Sequence, residues 1–238
     1  MTETTPYALE ANLLAKTFAT QTEPLTLFEN LSLTIKQGES VAIIGQSGAG
    51  KSTLLSLLAG LDEPTDGSIR LLGEDINHLD DEARSRWRAT HLSFIFQSFH
   101  LLPELTAQEN VQLPLEIRGD RDAVERARTL LTQVGLKERC HHYPSQLSGG
   151  EQQRVAIARA FVTAPHILFA DEPTGNLDTK TGEKIIHQLF DMNATHQTTL
   201  ILITHDPALA ARCSRQYRLE QGKLLEVLPQ QEAATHDC

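Results

Sequence analysis

Three short stretches carry residue types whose spacing suits phosphate chemistry. The first, GQSGAGKST at residues 45–53, fits the pattern G-x-x-x-x-G-K-[ST]. In such a loop the backbone N–H groups of Gly45, Gln46, Ser47, Gly48, Ala49 and Gly50 wrap the phosphates of a nucleotide. Lys51 brings a point charge to the β and γ groups, and Ser52, followed by Thr53, offers a hydroxyl to magnesium. The second, ILFADE at residues 167–172, ends in two carboxylates. Asp171 suits a magnesium ion held through water, and Glu172 suits a general base or orienter of the attacking water. An acidic pair can also cap a turn, but the phosphate loop favours the catalytic reading. The third, SQLSGGEQQR at residues 145–154, has paired glycines opening a helix, a second place where free N–H groups and a helix dipole favour an anion. Ser148 and Glu151 also fit a capping box there, and the two readings are compatible.

These residues need elements to position them. Apolar, branched runs at residues 40–45, 93–97, 167–172 and 199–205 have the length of buried strands and lack the alternation of a half-exposed sheet. They predict a mostly parallel core. Their carboxyl ends are Gly45, Gln97, the Asp171–Glu172 pair and His205, and that edge is where ligands bind in open parallel sheets. The shared position gives two further candidates, Gln97 as a magnesium and water ligand and His205 as a γ-phosphate partner. Helices fit residues 51–59, 150–163 and 180–194, and segments 9–17, 27–36 and 68–72 alternate as a smaller antiparallel sheet. Residues 98–164 are mainly helical, with 122–134 the clearest amphipathic stretch.

Composition narrows the class. A chain of 238 residues holds one large domain, and no segment approaches 18 uninterrupted apolar residues. A formal charge of −10 argues against a broad nucleic-acid footprint. Cys140, Cys213 and Cys238 are scattered, as reduced thiols would be. The opening MTETTPYALEANLL has no basic start or apolar block, which predicts a cytoplasmic chain. The tail at residues 229–238 is polar and is expected to be flexible.

Taken in order, GQSGAGKS, SFIFQ, LSGGEQQR, ILFADEPTGNLD and the TH at 204–205 make nearly the whole chain resemble an ABC-type ATPase. The resemblance implies a RecA-like α/β core, at 8–97 and 165–228 with an antiparallel β subdomain, and an inserted helical subdomain at 98–164. It implies ATP with Mg2+, and a head-to-tail homodimer in which Ser148, Gly149, Gly150 and Glu151 complete the ATP site of the second copy. Asp178 in GNLD resembles the loop touching that copy, and Phe18 falls where the family stacks a ring on adenine, although an apolar ring near a strand end is as often core.

The wording DEPTGNLD and the stretch FQSFHLLPELTAQENVQLPLEIRG look like the branch of lipoprotein-releasing and macrolide-export ATPases, and most of all its YbbA-type members. That implies an FtsX-like membrane permease as partner and a place on the inner face of the bacterial plasma membrane. Residues 98–115 fall where transporter ATPases receive a helix of the membrane subunit, although Phe99, Leu101, Leu102 and Pro103 also suit subdomain core. An ordinary importer or exporter ATPase would share every catalytic motif. Soluble members acting on ribosomes or DNA usually carry two cassettes or a long coiled coil, and neither is visible here.

Overall fold

The runs SVAII, LSFIF, ILFAD and TLILIT are each only five or six residues long and almost free of polar side chains, so they are stable only if both faces are covered. The computed structural model, which describes residues 6–19, 23–46 and 48–227, shows that covering. Among the described residues ten strands form two sheets. Those of the smaller sheet are β1 (Tyr7–Phe18), β2 (Leu25–Lys36), β4 (Asp66–Leu71) and β5 (Glu74–Asp75), ordered β2-β1-β4-β5 and antiparallel throughout. The larger sheet has β3 (Ser40–Ile44), β6 (Leu92–Phe96), β7 (Ile167–Asp171), β8 (Thr199–Thr204), β9 (Arg215–Glu220) and β10 (Lys223–Val227). Its order is β10-β9-β3-β8-β7-β6, parallel except for the β9–β10 hairpin.

Among the described residues seven α-helices connect the strands. They are α1 (Lys51–Leu58), α2 (Asp81–His91), α3 (Ala107–Ile117), α4 (Ala123–Gln133), α5 (Gly149–Phe161), α6 (Thr179–His196) and the single turn α7 (Pro207–Ala210). Successive side chains of β8 point to opposite cores. Leu200 and Leu202 join Leu168, Ala170 and the apolar faces of α3 to α6, whereas Ile201 and Ile203 join Phe169, α1 and the inner face of the antiparallel sheet. The parallel sheet is thus the middle of three layers, which is why its strands do not alternate in polarity. Phe169 is fully buried and stacks on Phe94 with ring centroids 5.6 Å apart. Phe169→Ala is expected to lower stability by about 3–5 kcal/mol, read as a shifted midpoint in chemical denaturation, because the middle layer cannot collapse into the space.

Helix α2 and strands β9 and β10 differ from the sequence reading. Helix α2 was not expected, because its sequence DEARSRWRATH offers hardly any apolar stripe. Only Arg84 is buried there, and the helix is instead started by the Asp80 side chain accepting from Ala83 N. Strands β9 and β10 were also missed. RQYRLE alternates Tyr217 and Leu219 inward with Arg218 and Glu220 outward, a half-exposed pattern unlike that of the central strands. Within the mainly helical stretch 98–164, residues 98–106 are loop and α3 begins at Ala107, opened by a capping box in which Thr106 and Glu109 exchange hydrogen bonds. In the loop part Leu102 is exposed while Leu101 packs on the core. The tail expected at 229–238 lies outside the described residues.

Candidate functional site

The four parallel strands β3, β6, β7 and β8 stop in register, and the residues just past their ends are Gly45, Gln97, Glu172 and His205. One cleft of about 640 Å³ lies over that edge, lined by Leu27, Gly48, Gly50, Lys51, Ser52, Thr53, Gln97, Asp171, Glu172 and His205. The loop before α1 turns sharply into the helix. Gly50 sits at φ 90°, and a Cβ on it would lie 2.9 Å from Phe28 Cζ, so a side chain there is excluded twice over. Lys51 Nζ donates to Gly45 O at 2.8 Å and to Gln46 O at 2.9 Å, while Ala49 N donates to Gln46 O at 3.2 Å. Ser47 lies outside the described residues.

The carboxylates are held differently. Ser52 Oγ donates to Asp171 Oδ2 at 3.2 Å. Burial pushes the Asp171 carboxyl above its ordinary pKa and the neighbouring Glu172 adds to the shift, against the lowering effects of Ser52 and Lys51. Such a carboxylate gains from a cation. With the Ser52 hydroxyl and the Gln97 amide oxygen it makes a set of hard oxygen donors suited to Mg2+. Glu172 has its backbone in the left-handed region at φ 46°, fixed by Glu172 N donating to Ile203 O at 2.9 Å and Gly175 N donating to Glu172 O at 3.0 Å. Its side chain, 16% exposed, accepts from His205 Nδ1 at 2.8 Å and from Thr204 Oγ1 at 3.3 Å. Gln97 Nε2 donates to Asn176 Oδ1 at 3.1 Å, and Asn176 Nδ2 returns a bond to Gln97 O at 2.9 Å.

The remaining candidates stand elsewhere. Ser148 caps α5 in a full capping box. Its Oγ accepts from Glu151 N at 3.3 Å, and the Ser148 backbone N–H at 2.9 Å and Oγ–H at 2.8 Å both donate to Glu151 Oε2, which holds that carboxyl below the usual carboxylate range. Gly150 touches Thr181, whose Cγ2 would be 2.6 Å from an added Cβ. None of Ser148, Gly149, Gly150 and Glu151 lines the cleft with Lys51; Ser148 and Gly150 line a separate groove with Arg154, Lys184 and His187. Asp178 caps α6 by accepting from Thr181 N at 3.0 Å, and it shares a depression with Glu172 and His205. Phe18 ends β1, 39% exposed, with Lys16 Nζ 5.1 Å above its ring, and it does not line the cleft. Sequence reasoning missed Leu27, Asn176 and Thr204. Asn176 and Thr204 had usable signals, since they lie in the GNLD stretch and the TH pair already singled out, whereas Leu27 reads as an ordinary strand residue.

A phosphate loop leading from a parallel strand to a helix, facing two carboxylates at a neighbouring strand end, defines a phosphate-loop nucleotide hydrolase. The ABC transporter family matches residues 28–175. Over 220 residues the chain is 51% identical to the ABC transporter ATP-binding protein YbbA of Escherichia coli K12, covering 92% of this chain and 96% of that one. It is 47% identical over 223 residues to the lipoprotein-releasing system ATP-binding protein LolD of Xanthomonas axonopodis pv. citri, covering 93% and 91%. Among solved structures, the dimeric post-hydrolysis state of the ATP-binding cassette MJ0796 bound to ADP and Pi superposes with a TM-score of 0.83 at 40% identity, covering 91% of this chain and 96% of that one. The chain belongs to the ABC transporter family, as an ATP-hydrolysing cassette of its YbbA and LolD branch.

Proposed function

We propose that this cassette works as a head-to-tail homodimer that closes on two ATP molecules, reopens on hydrolysis, and drives an FtsX-like membrane permease. The observation that supports it best is the separation of two anion-binding features. Lys51 shares one cleft with Gln97, Asp171, Glu172 and His205, whereas the α5 N-terminus at Ser148 stands outside it. A second copy supplies what the first cleft lacks, and the similar cassette MJ0796 is itself dimeric.

In this reading Gly45, Gln46, Ser47, Gly48, Ala49, Gly50 and Thr53 surround the phosphates and Lys51 neutralises them. Ser52, Asp171 and Gln97 would hold Mg2+, which would supply positive charge to the phosphates. Glu172 takes the proton of the attacking water. His205 Nδ1–H keeps the Glu172 carboxylate aimed, and the ring serves as the γ-phosphate partner when Nε2 carries a proton. Ser148, Gly149 and Gly150, braced by Glu151, reach the γ-phosphate of the partner's ATP; Asp178 touches the partner beside it, and Phe18 stacks on adenine. Residues 98–164 form the helical subdomain that carries motion to the permease. No helix among the described residues is long and apolar enough to cross a membrane, which suits a cytoplasmic subunit bound to the inner face of the plasma membrane.

The test is affinity capture of the tagged Glu172→Gln chain from membranes with ATP and magnesium. An FtsX-like membrane subunit should come with it, and its outer part would indicate the cargo. Recovery of ribosomes or DNA complexes without a membrane protein would keep the ATPase chemistry and overturn the transport reading.

A further inference from the structure

Helix α5 does more than present Ser148 at its start. In its last turn the partly buried Arg159 donates through Nη2 to Phe99 O at 2.7 Å and through Nη1 to His100 O at 2.6 Å. Phe99 and His100 are consecutive non-glycine residues in the left-handed region, at φ 57° and 48°, and they lie just past Gln97. Such a backbone persists only where its surroundings hold it. The guanidinium suits this task, because its planar fork serves two neighbouring carbonyls at once, and a lysine ammonium does not reproduce that geometry. Burial lowers the Arg159 pKa, so these two carbonyls also serve to satisfy a desolvated cation.

A second cross-link leaves the same helix six residues earlier. Gln153 is fully buried, and its Nε2 donates to Pro173 O at 2.6 Å, immediately after Glu172. Its Oε1 has no hydrogen-bond partner among the described residues. The bond to Pro173 O thus comes with a buried amide oxygen that has no partner among the described residues.

We infer that Arg159 and Gln153 are positioning residues which fasten the two loops carrying Gln97 and Glu172 to the helix that begins at Ser148. The inference rests on the dimeric ATPase reading above. There Gln97 and Glu172 serve the chain's own ATP while Ser148 serves its partner's, so one rigid helix ties the two sites together. A tilt of α5 that moves Ser148 relative to the partner also moves both catalytic loops.

The test is a double-mutant cycle on the full chain, measuring ATP hydrolysis and nucleotide affinity. Arg159→Lys should lower kcat about tenfold with Kd for nucleotide unchanged. In a Gln97→Ala background the same substitution should cost less than about twofold, because the residue it positions is already gone. Equal losses in both backgrounds would overturn the role of Arg159. Gln153→Met, which keeps the volume and removes the donor, should lower kcat about fivefold at unchanged Kd; an unchanged kcat overturns its half of the inference. Hydrogen exchange on the unaltered chain decides the matter even if Arg159→Lys fails to fold or the chain shows no turnover. Residues 98–101 should be protected together with the last turns of α5, and exchange at the rate of an open loop sinks the clamp. Absence of turnover in the unaltered chain would instead count against the dimeric ATPase reading.

Discussion

Glu172→Gln should leave ATP binding intact and slow hydrolysis by about 10²–10⁴-fold, so that an ATP-bound dimer accumulates. The substitution is nearly isosteric. The amide oxygen still accepts from His205 Nδ1, now 2.8 Å from Glu172 Oε1, and the amide nitrogen meets the Thr204 hydroxyl on the other side. The left-handed backbone at φ 46° is fixed by main-chain bonds to Ile203 and Gly175, which do not depend on the side chain. What disappears is basicity alone. Phosphate release under single-turnover conditions measures the chemistry, and size-exclusion chromatography with and without ATP measures closure. Turnover at the unaltered rate would remove the general-base assignment and leave Glu172 as a structural partner of His205.

The central part of this site was legible because its signals are local. A phosphate loop must sit between a strand and a helix, and a run such as TLILIT can be buried on both faces only in the middle of a layered fold, so strand ends could be found by eye. Elements without that pressure were not legible. Helix α2 rests on its Asp80 cap and on Arg84, whose aliphatic stem and ion pair to Glu63 at 2.8 Å replace an apolar stripe. Strands β9 and β10 cover one side only. The contacts that hold Gln97 and Glu172 were hidden for a different reason. Asn176, Arg159 and Gln153 act on backbone carbonyls or amides far away in sequence, and no periodicity records a bond from residue 159 to residue 99.

Lys51→Ala should weaken nucleotide binding by about 100-fold or more, near 2.7 kcal/mol, without unfolding the chain. The ammonium is bonded to Gly45 O and Gln46 O, so it braces the loop from inside as well as facing the cleft. Removing it takes away the cation that neutralises the phosphates and also a link that keeps the loop carbonyls turned away from them. Lys51→Arg should not rescue, because a planar fork has neither the compactness nor the donor directions of the ammonium. Titration with a fluorescent ATP analogue reads the affinity, and circular dichroism checks the fold. The contrast with the second anion-binding feature is the stronger test. Ser148→Arg places a bulky side chain at the start of α5, outside the cleft lined by Lys51, and should leave nucleotide affinity of the isolated chain unchanged while abolishing ATP-dependent dimer closure. Two glycine-rich helix starts would then fail in different ways, one in binding and the other in assembly. That is the outcome required if each chain binds ATP with its own loop and completes its neighbour's site with α5. If Ser148→Arg instead weakened nucleotide binding as Lys51→Ala does, both features would have to serve a single molecule within one chain, and the head-to-tail arrangement would fall.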